Sequence, residues 1–354
     1  MVDQHLSNPF NLSSDKVYGQ TGGRAKRAEW QIPLHTPKIK KRHTMITNGI
    51  SGPSTKAITH QKIVTTRPSV SNLEKELDLV KTKYGEFIYD IPLPEGIWTN
   101  GALNIPHTRL KRILQVVSDL SKKPLNKIRV LDLGSLDGQF SLEFAYHQSN
   151  VVGVEVRHAN VMKSEFCKRT LELRSVTFLE EDARNISLEQ HGRFDVIICS
   201  GLLYHLTATD SIELIKKMYQ MTENLLVLDT HISLQPELEF PYEGSSYFGN
   251  LHKEHGEDES QDIKETRILA SWDNPHSFWF TRPSLVNILN KTGFTSVYEA
   301  FTPAHKNYGN DGFEHEDRCT FVAVKGNEQH LFTSPSANDT NEFFDESQLQ
   351  YKIK

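Results

Sequence analysis

From about residue 106 to residue 325, short apolar runs alternate with segments in which apolar residues recur at helical spacing. Such an alternation is the mark of a sheet with helices on both faces. The apolar runs predict strands at Ile128–Leu133, Val151–Val156, Val176–Glu180, Phe194–Cys199 and Leu225–Asp229. Helices are predicted between them at Gln139–Tyr146, Ala159–Leu173 and Asp210–Met221. Another, Pro106–Leu120, precedes the first strand and gathers Leu110, Ile113, Leu114 and Val117 on one face. Further on, Arg282-Pro283-Ser284 opens a helix over Leu285–Thr292 that Gly293 caps. Phe294–Ala300 and Thr320–Lys325 then read as a closing antiparallel pair joined by a long polar hairpin, Thr302–Arg318. The expected fold is α/β, a doubly wound sheet of seven strands with an aromatic-rich insertion, about 231–281, after the fifth.

Charge and composition set the limits of this domain. Residues 1 to about 70 carry 11 Lys and Arg against 3 Asp and Glu, a net of +8 in a chain whose total is −5. They are rich in Ser, Thr, Asn, Gly and Pro and lack apolar periodicity, so residues 1–74 read as a disordered basic tail able to engage RNA or an acidic surface. The domain is expected over 75–326, with a second flexible tail over 327–354. Neither end has the apolar core of a signal peptide, and no apolar run approaches the roughly 20 residues of a membrane span. The three cysteines, Cys167, Cys199 and Cys319, are too few and too scattered for a disulfide framework or a paired metal motif. A reducing, cytoplasmic setting is therefore the expectation.

The ends of the predicted strands hold the candidate chemistry. Val130-Leu-Asp-Leu-Gly-Ser-Leu-Asp-Gly138 is an apolar strand that breaks into a glycine-bearing turn. Gly134 lets the backbone approach a ligand, and Gly138 opens the helix whose free N–H groups face it. Glu155 ends the second strand 21 residues after Gly134, the spacing at which a carboxylate accepts both ribose hydroxyls. The third strand delivers Glu181-Asp182-Ala183 and the fourth Ser200-Gly-Leu-Leu-Tyr-His205. In an open parallel sheet these ends converge on one crevice. The Gly-x-x-x-Gly spacing argues against a nicotinamide-dependent hydride transfer, which uses Gly-x-Gly-x-x-Gly.

With these residues in place, the stretch from about 125 to 325 resembles the class I S-adenosylmethionine-dependent methyltransferases. The resemblance implies S-adenosyl-L-methionine as cofactor. By position, Asp132 and the turn of Gly134, Ser135, Asp137 and Gly138 would hold its methionine end, with Ser135 standing where the family commonly has glycine. Glu155 would bind the ribose and Asp182 the adenine amino group, with Ala183 backing the ring. Ser200 and Gly201 would form the wall beneath the sulfonium. Residues 200–300 are similar to a sub-branch that includes the transfer RNA wobble-uridine methyltransferases, through Gly201–His205, Arg282–Leu285 and Gly293-Phe294. Leu206 departs from it, standing where those enzymes usually have a basic residue. The expected reaction is therefore methyl transfer to an oxygen or nitrogen of a soluble small molecule. An RNA methyltransferase and a catalytically inactive cofactor-binding module are the alternatives.

An in-line methyl transfer needs alignment and a base for the acceptor's proton. His205, beside Tyr204, is the first candidate base and His231 the second. Tyr247, Trp272 and Trp279 of the insertion, with Arg282, are the candidates for the acceptor pocket, while Phe240, Tyr242, Phe278 and Phe280 share its aromatic character. The run His252–Ser260 reads as solvated charge. On paper, His252, His255 and Glu254 with Asp229 and His231 assemble a metal site, but their spacing fits no helical ligand pair, and no metal is expected.

Overall fold

Along the central strands, successive residues alternate between two cores, which is how a sheet buried on both faces must be built. The computed structural model describes residues 71–101, 108–300 and 317–339. The chain enters through α1 (Asn72–Tyr84), begun by a capping box. Ser71 Oγ accepts from the Glu74 N–H at 3.1 Å, and Glu74 Oε2 accepts from the Ser71 N–H at 2.8 Å. The described residues thus begin at the Ser71 cap. An irregular strap, residues 85–101, leads towards α2 (Thr108–Leu120).

The predicted alternation follows with its termini moved by a few residues: β1 (Arg129–Leu133), α3 (Gln139–Tyr146), β2 (Asn150–Glu155), α4 (His158–Thr170), β3 (Val176–Glu180), a single-turn α5 (Leu188–His191), β4 (Phe194–Ser200), α6 (Ala208–Met221) and β5 (Thr222–His231). The insertion folds as β6 (Leu238–Tyr242), β7 (Ser245–Lys253), α7 (Gln261–Glu265) and β8 (His276–Phe280). Then come α8 (Arg282–Thr292), β9 (Ser296–Glu299) and β10 (Arg318–Val324). The main sheet runs β3-β2-β1-β4-β5-β10-β9, its first five strands parallel and β10 antiparallel to both neighbours.

One face of this sheet presents Leu131, Leu133, Ile197, Cys199, Leu226 and Leu228 to α6 and α8. The other presents Val130, Val196, Ile198 and Val227 to α1, α2, α3 and α4 through Leu77, Ile113, Phe144 and Phe166. The insertion is a separate antiparallel sheet, β6-β7-β8. Tyr247, Phe278 and Phe280 are buried in the first core, and Phe240 and Tyr242 pack against it. Most of the insertion's aromatic surface is therefore its own anchorage.

Within the run His252–Ser260, Lys253, Glu257 and Asp258 are exposed as expected for solvated charge, whereas Glu254 and His255 depart from it, Glu254 meeting His205 and His255 the Ser271 carbonyl. Most of the Thr302–Arg318 hairpin, the basic tail before Ser71 and the chain after Asp339 lie outside the described residues. Among the described residues, no helix is long and apolar enough to cross a membrane.

Candidate active site

The carboxyl ends of β1, β2, β3 and β4 open onto a cavity of about 570 Å³. Of the residues singled out from the sequence, Gly134, Glu155, Asp182, Ala183, Ser200, Gly201, Tyr204, His205 and Trp272 lie on its wall. The turn after β1 is closed by the Gly134 and Ser135 N–H groups, which both donate to the Val154 carbonyl at 2.9 and 3.0 Å. Gly134 adopts φ +69°, and a Cβ there would come within 3.2 Å of Leu202 Cβ. At Gly138, with φ +88°, a Cβ would meet Ser164 Oγ at 2.8 Å. Both positions therefore require glycine. Glu155 accepts from the Leu136 N–H at 3.0 Å and the Arg157 N–H at 2.9 Å, which orients its carboxylate at the cavity edge. Burial raises its pKa. Asp132 lies behind the wall, bonded by Ser141 Oγ at 2.6 Å, and burial pushes its pKa up to about 6.

Asp137 corrects the expectation that it meets a cofactor. Its Oδ2 accepts the backbone N–H groups of Ile88 (2.6 Å) and Tyr89 (3.0 Å), so it clamps the strap to the glycine turn. The buried Lys163 reinforces the clamp by donating to the Glu86 carbonyl at 2.9 Å. Ile88 and Tyr89 are thereby carried to the cavity wall. Beside them Asp229, at the end of β5, accepts from Arg318 Nε and Nη2 (2.9 and 2.6 Å), Arg109 Nη1 (3.3 Å) and Thr320 Oγ1 (2.6 Å). Burial works against this carboxylate's charge, but the two guanidiniums outweigh it and its pKa falls. Arg109 also donates to Tyr89 Oη at 3.0 Å.

On the opposite wall, His205 Nδ1 lies 2.9 Å from Glu254 Oε1. Glu254 accepts further bonds from the Ser271 N–H (3.0 Å) and Ser277 Oγ (2.8 Å). Its pKa is lowered, because His205 and these donors outweigh its burial. A carboxylate on Nδ1 places the Nδ1–H tautomer, leaving the basic lone pair on Nε2. His205 thus has the environment of an oriented base.

His231 does not, which corrects its placement as second base. Arg318 Nη1 donates to its Nε2 at 3.1 Å, and its Nδ1 bonds Asp317 Oδ2 at 3.2 Å, so both ring nitrogens are engaged. Burial and the Arg318 charge push its pKa down to about 4. It stacks on Trp279 at 4.8 Å and meets the Tyr204 ring edge-on at 4.7 Å.

The acceptor-pocket candidates separate in the same way. Trp279 lies off the cavity wall, sandwiched between His231 and His252, and its Nε1 donates to the Tyr204 carbonyl at 3.0 Å. Tyr247 is buried against Phe280, and Arg282 binds Glu299 at 2.9 Å and Cys319 at 3.3 Å beyond the cavity. The sheet needed these three side chains for packing and pairing. Trp272 does reach the cavity, 5.3 Å from the Arg157 guanidinium.

Sequence reasoning passed over Arg157 and Arg184, although each stands two residues after a singled-out carboxylate. Arg157 Nη2 donates to the carbonyls of Arg267 (3.2 Å), Ala270 (3.0 Å) and Ser271 (3.3 Å). Arg184 grips Asp182 through Nε (2.9 Å) and Nη2 (2.5 Å) and reaches Asp273 at 2.7 Å. Burial raises the Asp182 pKa, but Arg184 more than reverses it. The five residues of the paper metal site are distributed over separate contacts, and no group of three or more His, Cys, Asp or Glu among the described residues could hold a metal ion.

Comparison with known proteins places this cavity in a family. The model of the methyltransferase domain matches residues 105–299, more than half of the chain, and the protein belongs to that family. No curated protein matches the sequence. Among solved structures, the chain is similar to the N-terminal domain of EvdMO1 in the presence of SAH and D-fucose, with 20% identity, a TM-score of 0.53, and 72% of this chain and 97% of that one covered. The same domain with SAH bound gives 18% identity and a TM-score of 0.54 over 72% of this chain and 97% of that one. Magnesium protoporphyrin IX methyltransferase (ChlM) from Synechocystis PCC 6803 aligns at 16% identity and a TM-score of 0.42, covering 62% of this chain and 84% of that one. At these identities the likeness to the EvdMO1 domain is one of fold, the seven-stranded sheet of the class I methyltransferases.

Proposed function

We propose that the protein is an S-adenosylmethionine-dependent methyltransferase acting on an oxygen or nitrogen of a soluble small molecule, with His205 as the base. The observation that carries this reading is one cavity with the buried Glu155 carboxylate at one edge and the His205–Glu254 pair on another wall. On the cavity wall, the buried Ser200 Oγ lacks a hydrogen-bond partner among the described residues, which suits a polar ligand. The family match and the SAH-bound EvdMO1 domain support the donor. A cavity of about 570 Å³ is of the size that holds small ligands.

When bound, S-adenosylmethionine supplies an activated methyl group. Glu155 would accept from the ribose hydroxyls, and Asp182 and Ala183 would stand beside the adenine. His205 takes the acceptor's proton on Nε2, while Glu254 holds the ring in that tautomer and stabilises the imidazolium. Tyr204, fixed through its carbonyl by Trp279, forms the wall beside the base.

An RNA acceptor is the alternative that the +8 charge of residues 1–70 favours. Calorimetry should show adenosylhomocysteine binding, with Glu155→Ala losing about 1–3 kcal/mol through lost charge-assisted hydrogen bonds. On an acceptor found by screening soluble alcohols and amines, His205→Ala should keep that affinity within a few-fold and lose roughly 10² to 10⁴ in turnover. Absent adenosylhomocysteine binding would refute the donor. Salt-sensitive binding of transfer RNA that depends on residues 1–70, together with methyl incorporation into it, would replace the acceptor class. Donor binding without turnover on any acceptor would leave a binding module.

A further inference from the structure

Within the insertion after β5, whose aromatic residues were expected to line the acceptor pocket, the loop Ile268–Asp273 is bonded to Arg157 and Arg184 on the nucleoside side of the cavity. We propose that this loop is a nucleoside-binding wall, which covers the adenosine half of the donor and presents the flat face of Trp272 to the base. The proposal rests on the donor reading of Glu155 and Asp182.

Two arginines set the loop's position. Arg157 follows Glu155 by two residues and gathers three loop carbonyls with one guanidinium nitrogen. Arg184 follows Asp182 by two residues and pairs with Asp273 at 2.7 Å. Each carboxylate on the nucleoside side is thus tied, through its own neighbour, to the same loop. The rest of the insertion saturates the loop from behind. His255 Nε2 donates to the Ser271 carbonyl (2.7 Å), Gln261 to that of Trp272 (3.1 Å) and Lys264 to that of Asp273 (2.8 Å).

With these loop carbonyls engaged, the loop offers the cavity chiefly apolar surface from Ile268, Leu269, Ala270 and Trp272. Leu269 is 66% exposed, a large apolar side chain held over an open cavity. A flat heteroaromatic base with apolar faces is the ligand such a wall fits, as it buries that surface and stacks on the indole. Tyr89, Arg109, Tyr204 and Arg318 remain as the walls for the acceptor.

Titration of the full chain with adenosylhomocysteine and with adenosine alone tests the proposal without an acceptor. Trp272→Ala and Arg157→Ala should each weaken both ligands about tenfold or more, and Trp272→Phe, which keeps a flat ring, should recover most of the loss. In the unaltered protein, adenosine should slow amide hydrogen exchange across residues 267–273. Folded variants that bind adenosine like the parent, or exchange slowed only at the strand ends, would overturn the wall while leaving the donor reading intact. Failure of the parent to bind adenosylhomocysteine would overturn both.

Discussion

His231 and Asp132 show how burial acts with opposite sign on a base and an acid. His231 is held neutral, its pKa lowered from 6.5 to about 4 by burial and by Arg318. The unfolded chain takes up that proton below about pH 6.5. Stability from this group is therefore complete above pH 6.5 and is lost as pH falls towards 4, by at most about 3 kcal/mol. For Asp132, raised from 3.8 to about 6, the sign reverses. Its contribution is complete below about pH 4 and is lost as pH rises through 6. Denaturant unfolding between pH 4.5 and 7 should thus fall less steeply towards acid in His231→Gln than in the parent. Asp132→Asn should gain on the parent as pH rises. Parallel profiles for parent and His231→Gln would show that the imidazole is not held neutral.

Among the elements, the strap of residues 85–101 depends most on one side chain. It has little regular structure to satisfy its own backbone, so the Ile88 and Tyr89 N–H groups rely on Asp137. Asp137→Ala removes that acceptor and leaves the Ile88 and Tyr89 N–H groups without it. A cost of about 1–3 kcal/mol is expected, the range for leaving a buried polar group unpaired. Hydrogen exchange should rise across residues 86–99 before it rises in β1. Unchanged exchange in the strap would remove Asp137 from this role.

For the molecule as a whole, stability resides in the two cores that sandwich the sheet. Ile197 in the central β4 is fully buried, whereas Leu79 on α1 is 69% exposed. Ile197→Ala should cost about 2–5 kcal/mol through lost burial and an unfilled cavity. Leu79→Ala should stay within about 0.5 kcal/mol. Similar losses at both sites in thermal unfolding would mean that the sheet core is not what limits stability.

The alternation of apolar runs with helical periodicity was by itself enough to determine the doubly wound sheet and the strand ends that carry Gly134, Glu155, Asp182 and His205. Each of those signals is local, since a strand, a turn or a cap is chosen by residues within a few positions of one another. α1 is legible too, in the capping box at Ser71 and Glu74, although composition assigns its first three residues to the polar tail. What local pattern cannot encode is which side chains meet across long separations. Glu254 reaches His205 over 49 residues, Asp137 holds a strap about as far away, and Arg318 reaches Asp229 over 89. Trp279, Tyr247 and Arg282 had the right chemistry for a pocket, yet packing turned them to other partners. Tertiary structure alone decided between these roles, because a buried polar group takes whichever partner the folded chain brings within hydrogen-bonding distance.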